Sequence, residues 1–254
     1  MNLFGKVAIV TGGGTGIGGG ISRSLAEAGA KVVIGQPQRQ AAEKTVQELS
    51  LEGAEVLFLP VDIRDRKQVQ AMVRGTIERW GKIDILVNNA ALTGPAVIAP
   101  FLDCNDDLLN QVVDVNLKGT FICSQEVARH MVEQGGSIIN ISSVGAFAAQ
   151  EGASIYCATK AGVVGLTQVL ALELADYGIR VNCIAPGLIQ TETNENVHDK
   201  MRAQGITGRY LRNAPLNRRG TPKEIGSAVV FLASEDAGYI TGETIVIDGG
   251  LLTY

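Results

Sequence analysis

The chain has 254 residues, 46% hydrophobic and 19% charged, with 31 glycines and a formal net charge of −4. This length and apolar content suit one α/β domain with a full core and exclude a disordered chain. The mild acidity, with no run of more than two Lys or Arg, gives nucleic acid no basic footprint. Cys104, Cys123, Cys157 and Cys183 lie far apart and form no CxxC, and only His130 and His198 are available as histidines. We read the cysteines as reduced thiols and expect no metal site. Residues 1–6 carry no leader-like pattern, and we expect no apolar stretch to reach the roughly 18 residues of a membrane span. The expectation is a soluble cytoplasmic protein without a membrane partner.

In chain order, residues 6–10 (KVAIV) predict a buried parallel strand, followed by the loop TGGGTGIG and a helix through Ile21, Leu25 and Ala28 that stops at Gly29. Residues 31–35 predict a second strand, 38–51 a helix and 55–61 a third strand. A helix over 65–80 follows, with Val69, Met72, Val73 and Ile77 at helical spacing, then a fourth strand at 83–87. One long helix is expected over 106–133, a fifth strand over 137–141, a helix from Tyr156 to about residue 177 and a sixth strand over 180–184. A helix at 222–232 and a seventh strand at 244–247 complete the series. Alternation at intervals too long for hairpins predicts a doubly wound parallel sheet covered by helices on both faces, in a single domain over 1–254. Residues 188–215 contain scattered apolar positions and no strand; we expect a lid over the substrate there.

Ligands of such sheets bind beyond the carboxyl ends of the strands, and the chemically distinctive residues follow strands here. The loop holding Gly12, Gly14, Thr15, Gly16, Ile17 and Gly18 joins a strand to a helix. Glycines let the backbone approach a pyrophosphate, which the helix N-terminus attracts. Tyr156 precedes Lys160 by four residues, so on a helix both leave one face. An ammonium beside a phenol stabilises the phenolate, and we expect Lys160 to lower the pKa of Tyr156 and make it a general acid/base.

The ordered set TGGGTGIG (11–18), NNAA (88–91, where NNAG is usual), VN (115–116), ISS (141–143), YCATK (156–160), RVNCIAPG (180–187) and IDGG (247–250) resembles the short-chain dehydrogenase/reductase family over essentially the whole chain. The resemblance implies a Rossmann-type fold with a seven-stranded parallel sheet and NAD(P)-dependent hydride transfer between a secondary alcohol and a ketone. It implies Tyr156 as acid/base, Lys160 as its partner and ribose ligand, Ser143 rather than Ser142 as the group binding the substrate oxygen, and Asn116 as the fourth member, anchoring a water behind Lys160. It further implies cofactor contacts from Asp62 and Ile63 to adenine, Asn89 and Ala90 to ribose, and Pro186, Gly187, Ile189 and Thr191 around the carboxamide. Asp62 has an alternative as the cap of the next helix, and Thr191 as a turn residue.

An NAD enzyme of this kind places an acid after the second strand. Gln36 stands there with Arg39 nearby, which favours NADP(H); Thr15, where the resemblance would put a basic residue for NADP, keeps NAD(H) as the alternative. Gly145, Ala146, Ala149, Gln150 and Leu188 are expected to line the substrate pocket. They fit a hydrophobic or cyclic ketone, an acyl chain, a sugar-derived alcohol or a steroid. The family's 3-oxoacyl-carrier-protein reductases are one specific possibility, for which Arg202, Arg209, Arg212, Arg218 and Arg219 would supply a basic mouth. The helix after Lys160 (AGVVGLTQVLALEL) is apolar nearly all round, more than one buried face requires. With the 106–133 helix, by resemblance, it implies a homodimer or homotetramer. A dehydratase or epimerase shares the fold, and a catalytically silent dinucleotide-binding regulator is the reading from another class. Retention of Asn116, Ser143, Tyr156 and Lys160 counts against the silent one.

Overall fold

The apolar runs of the sequence become seven parallel strands: β1 Val7–Thr11, β2 Lys31–Gln36, β3 Val56–Pro60, β4 Ile85–Asn88, β5 Gly136–Ile141, β6 Ile179–Pro186 and β7 Thr244–Ile247. They form one sheet in the order β3-β2-β1-β4-β5-β6-β7 in a computed structural model that describes residues 1–191 and 214–253. The helices are α1 Gly16–Glu27, α2 Arg39–Leu51, α3 Arg66–Trp80, α4 Asp106–Val113, α5 Thr120–Met131, α6 Ser154–Leu174 and α7 Pro222–Ala233.

Alternate strand residues face opposite sides of the sheet, and two cores follow. Ala8, Val10, Val32 and Ile34 pack with Ile21 and Leu25 of α1, Ala42 of α2 and Ile225 and Val229 of α7. Ile9, Val33, Leu86 and Ile138 pack with Val69 and Met72 of α3, Ile122 and Val127 of α5 and Ala171 of α6. The expected doubly wound sheet is thus present, with β1 and β4 side by side and the connections leaving them in opposite directions.

Three local expectations change. The helix expected over residues 106–133 is interrupted by a π-helical segment, Asp114–Gly119, between α4 and α5. Asp62 does not cap α3; Asp65 does, its side chain accepting from the Lys67 N–H at 2.8 Å. The run Ser154–Tyr177 is long and apolar enough, by length and composition, to cross a membrane, with a mean hydropathy of 1.4 over its most apolar window, of which only 28% is buried. Here it lies on the sheet, with Val163 and Thr167 buried, and an apolar outer side exposed.

A buried polar row crosses the middle of the molecule. Asn88 of β4 donates to Ser124 Oγ of α5 at 2.9 Å and to Asn140 Oδ1 of β5 at 2.8 Å. Asn140 in turn donates to Thr167 Oγ1 of α6 at 2.9 Å. Asn88 and Asn140 are register partners in the β4–β5 ladder.

The proposed lid falls largely on residues 192–213, outside the described residues, as do Arg202, Arg209 and Arg212. Of its flanks, Ile189 is buried and bridges to Gly220.

Candidate active site

The carboxyl ends of β1, β2, β4, β5 and β6 converge on one edge, and each carries predicted site residues. At the end of β1, Thr11 Oγ1 accepts from the Asn89 and Ala90 N–H groups at 3.0 and 3.1 Å, tying the glycine loop to the loop after β4. The Asn89 amide completes the tie, donating to Thr11 O and Gly12 O at 3.0 and 3.1 Å. Asn89, expected along a ribose, therefore holds the cradle through its side chain. Gly12 has a φ of +65°, and a Cβ on Gly18 would lie 2.0 Å from the Gly12 carbonyl, so neither tolerates a side chain. Thr15 sits at the N-cap of α1 with no side-chain capping bond. A tight glycine turn opening a helix whose first N–H groups are not capped by Thr15 fits a dinucleotide pyrophosphate.

Gln36 is buried, its Oε1 accepting from Gly14 N at 2.8 Å and its Nε2 donating to Gln38 O at 2.9 Å. Thr45 Oγ1 donates to Gly14 O at 2.8 Å. The side chain expected to face the adenosine ribose thus braces the loop. Arg39 stacks over the Phe58 ring at 5.2 Å and pairs with Glu43 at 2.7 Å. Asp62 grips Arg64, with Nη2–Oδ2 at 2.6 Å, and this pairing holds its carboxyl below the usual carboxylate range. Ile63 is buried against Gly119 of the π segment. Thr191 stands near Gly16, so the loop after β6 closes on the glycine loop. Gly187 lies so near Asp248 that a Cβ would be 2.6 Å from the Asp248 Cβ, and its N–H donates to Ile247 O at 2.9 Å.

The reactive groups meet between β5 and α6. Ser142 Oγ donates to the Lys160 carbonyl at 2.8 Å, a bond within the scaffold. Ser143 is the serine nearer the phenol, close enough to pull the Tyr156 pKa down, and its Oγ accepts from Gly145 N at 3.1 Å. The geometry thereby separates the two neighbours. Gly145 has Cys157, Gln150 and Ser143 around it, each within 3.4 Å of where its Cβ would lie, so these residues share one wall. Leu188 is partly exposed just beyond β6.

Lys160 is buried, its Nζ donating to Ile141 O at 2.8 Å and lying 5.8 Å from the Tyr156 ring centre. Burial pushes its pKa from 10.5 down to about 8. Burial also pushes the Tyr156 phenol up, with the nearby Ser143 and Thr93 side chains pulling the other way. The expectation that Lys160 lowers the phenol is therefore not met in this arrangement: desolvation dominates, and the groups that oppose it are hydroxyls. Asn116, in the π segment, is buried and clamps Leu92 in both directions. Its Oδ1 accepts from Leu92 N at 2.7 Å and its Nδ2 donates to Leu92 O at 3.1 Å.

Thr93 was not among the residues singled out from sequence. Nothing in its local pattern marks it; only the fold brings it to the phenol. Among the described residues no cluster of His, Cys, Asp and Glu could hold a metal ion.

A family model described as enoyl-(acyl carrier protein) reductase matches residues 12–252. The chain is 38% identical over 253 residues to the 3-oxoacyl-(acyl-carrier-protein) reductase FabG of Thermotoga maritima, covering 99% of this chain and 100% of that protein. It is 41% identical over 256 residues to the short chain dehydrogenase/reductase astE of Aspergillus oryzae, covering 99% and 96%. A solved short-chain type dehydrogenase/reductase from Mycobacterium marinum superposes with a TM-score of 0.90 at 34% identity, covering 100% and 98%.

Proposed function

This chain belongs to the short-chain dehydrogenase/reductase family of NAD(P)-dependent oxidoreductases, and we propose that Tyr156 is its general acid/base, with Ser143 binding the substrate oxygen, Lys160 serving phenolate and ribose, and Asn116 holding the site in shape. The observation that carries this reading is the convergence of Ser143, Tyr156 and the buried Lys160 at the sheet edge shared with the glycine loop, with Lys160 Nζ 5.8 Å from the Tyr156 ring centre and Ser143 near enough to pull the phenol pKa down. Two hydroxyls that meet there can also meet a carbonyl oxygen between them. In reduction both donate to that oxygen and stabilise the charge developing on it, and Tyr156 then gives it a proton. The Lys160 ammonium stands beside the phenolate that remains. In oxidation the phenolate takes the alcohol proton back. The nicotinamide, when bound, supplies or accepts the hydride; the backbone from Gly12 to Gly18 would hold its pyrophosphate.

We read the preferred cofactor as NADP(H). No carboxylate follows β2 to repel a 2′-phosphate, and Arg39 is the first residue of α2. Its exposed pair with Glu43 is worth about 0.3–0.5 kcal/mol, too little to withhold the guanidinium from a phosphate. Full-length likeness to a 3-oxoacyl-carrier-protein reductase favours a 3-oxoacyl thioester as one specific substrate. Of the proposed basic mouth, Arg218 is already paired with Glu224 at 2.6 Å. Free thiols at all four cysteines suit a cytoplasmic setting. The exposed apolar side of α6 suits assembly into a homodimer or homotetramer.

The test is oxidation of NADPH and of NADH, followed by nicotinamide absorbance, with a panel of ketones that includes a 3-oxobutanoyl thioester. We expect turnover with higher kcat/KM for NADPH. Tyr156→Phe should bind NADPH normally while kcat falls by about 10²–10⁴. Wild-type turnover in that variant would refute the acid/base assignment, and a strong NADH preference would refute the cofactor assignment.

A further inference from the structure

We propose that Gln36 and Thr45 are positioning residues for the dinucleotide: they hold the two polar groups of Gly14, pre-set the glycine loop for a cofactor of either kind, and leave the choice between NADPH and NADH to other side chains. The proposal rests on the reading of residues 12–18 as the pyrophosphate cradle given above, and adds to it what keeps the cradle in shape.

The loop is pegged from one side at three atoms. Gly12 N donates to the Gly35 carbonyl of β2 at 2.7 Å. Gly14 N donates to Oε1 of Gln36, the last residue of β2, at 2.8 Å. Gly14 O accepts from Oγ1 of Thr45, in α2, at 2.8 Å. Strand β2 and helix α2 thus form the frame against which residues 12–14 are set. The approach is close: a Cβ on Gly14 would lie 2.7 Å from Gln36 Oε1 and 3.0 Å from the Ala42 Cα. Glycine is needed at this position for space.

The same bonds show which groups remain for a ligand. The N–H groups of Gly12 and Gly14 are engaged within the protein. Those of Gly16, Ile17 and Gly18 precede the first bond of α1, from Gly19 N to Thr15 O at 2.9 Å, and so have no partner inside the helix. A loop fixed as far as Gly14 presents these three in one geometry. Without its pegs the free loop would sample more conformations, and binding would have to order them at a cost in affinity.

Gln36 stands where an NAD enzyme of this kind carries its acid. Its amide is engaged at both ends, Oε1 with Gly14 N and Nε2 with Gln38 O at 2.9 Å, and the residue is only 5% exposed. An amide so engaged and so covered supports the loop instead of reading the ribose.

The experiment compares Kd values for NADPH and NADH, by calorimetric titration, in wild type, Thr45→Val, Thr45→Ser and Gln36→Met. The valine and methionine variants keep the size of the side chain and remove its hydrogen bonds. Each should weaken both dinucleotides by the same factor, roughly three- to tenfold, the worth of one neutral hydrogen bond. Thr45→Ser keeps the hydroxyl and should bind as wild type does. A role confined to folding would move the unfolding midpoint and leave both Kd values in place. Unchanged affinity in either hydrogen-bond-free variant would therefore overturn the proposal, as would a serine variant as weak as valine. A shifted NADPH-to-NADH ratio in Gln36→Met would put the amide at the 2′ position and overturn it too. Thr45 is only half-buried, so the valine–serine pair carries the test even if Gln36→Met does not fold. Failure of the underlying reading has a separate signature: the wild-type protein would then bind neither dinucleotide.

Discussion

Lys160 shows how a site of this kind trades stability for function. Its ammonium is buried, with the Ile141 carbonyl as its hydrogen-bond partner, and burial lowers its pKa from 10.5 to about 8. Because the folded pKa lies below the unfolded one, the unfolded chain binds more protons between pH 8 and 10.5, and stability rises with pH across that window. Below pH 8 the burial penalty is fully present, of order 3 kcal/mol for a shift this large. Lys160→Met keeps the length and apolar stem of the side chain and removes the charge. We expect it to be inactive and yet more stable than wild type at pH 7 by about 1–3 kcal/mol after loss of the Ile141 bond. That advantage should shrink as pH rises towards 10, measured by urea unfolding at several pH values. A variant less stable than wild type at pH 7 would show that the ammonium is better solvated than its burial implies.

Candidate site residues can be picked out of the sequence; the partners the fold gives them cannot. Glycine spacing, the Tyr156–Lys160 interval and the placement of Ser143 and Asn116 are properties of the string. That Gln36 braces Gly14, that Asn89 bonds Thr11 and Gly12, and that Asp62 grips Arg64 depend on which side chain lies opposite, over separations of 2 to 78 residues.

At the scale of elements, strands were read well because buried parallel strands are uninterrupted apolar runs. The π segment Asp114–Gly119 was missed because one extra residue in a turn leaves the apolar pattern on either side nearly intact, and no residue preference announces it. It matters functionally because it carries Asn116. The paired glycines of α1 are now distinguishable. A Cβ on Gly20 would lie 2.3 Å from the Pro222 Cβ and 2.7 Å from its carbonyl carbon, where α1 meets α7; a Cβ on Gly19 would lie no nearer than 3.6 Å to any neighbour. Gly20→Ala should therefore destabilise by about 1–3 kcal/mol through overpacking. Gly19→Ala should stabilise by up to about 1 kcal/mol through helix propensity. Thermal unfolding of the two variants side by side tests this, and equal shifts of the same sign would sink it.

At the scale of the molecule, α6 has two unlike sides. One carries Tyr156 and Lys160 towards the sheet edge; the other leaves Leu172 81% and Val169 51% exposed, and Phe121 of α5 is also 44% exposed. A groove of about 290 Å³, lined by Phe101, Leu109, Val113, Leu117, Ile155 and Ala158, runs between α4 and α6. An apolar surface this broad is what a second copy of the chain would cover. Wild-type protein is expected to sediment as a dimer or tetramer at micromolar concentration, and Leu172→Glu as a smaller species with its fold intact. A wild-type monomer would remove the basis for this prediction.

The row running from Ser124 through Asn88 and Asn140 to Thr167 has a consequence for how the chain finds its structure. β4 and β5 are short apolar strands, and apolar contact alone distinguishes poorly between neighbouring alignments. The amides do distinguish. If β5 slid by one residue along β4, Asn140 would turn to the other side of the sheet, and Asn88, Thr167 and Asn140 itself would each lose a buried partner. Every such orphan costs roughly 1–3 kcal/mol, so a misaligned sheet would forfeit much of the 5–15 kcal/mol that typically separates folded from unfolded protein. The row thus penalises misalignment: all its hydrogen bonds form only when β4, β5 and α6 hold the one alignment that also brings Ser143 near Tyr156.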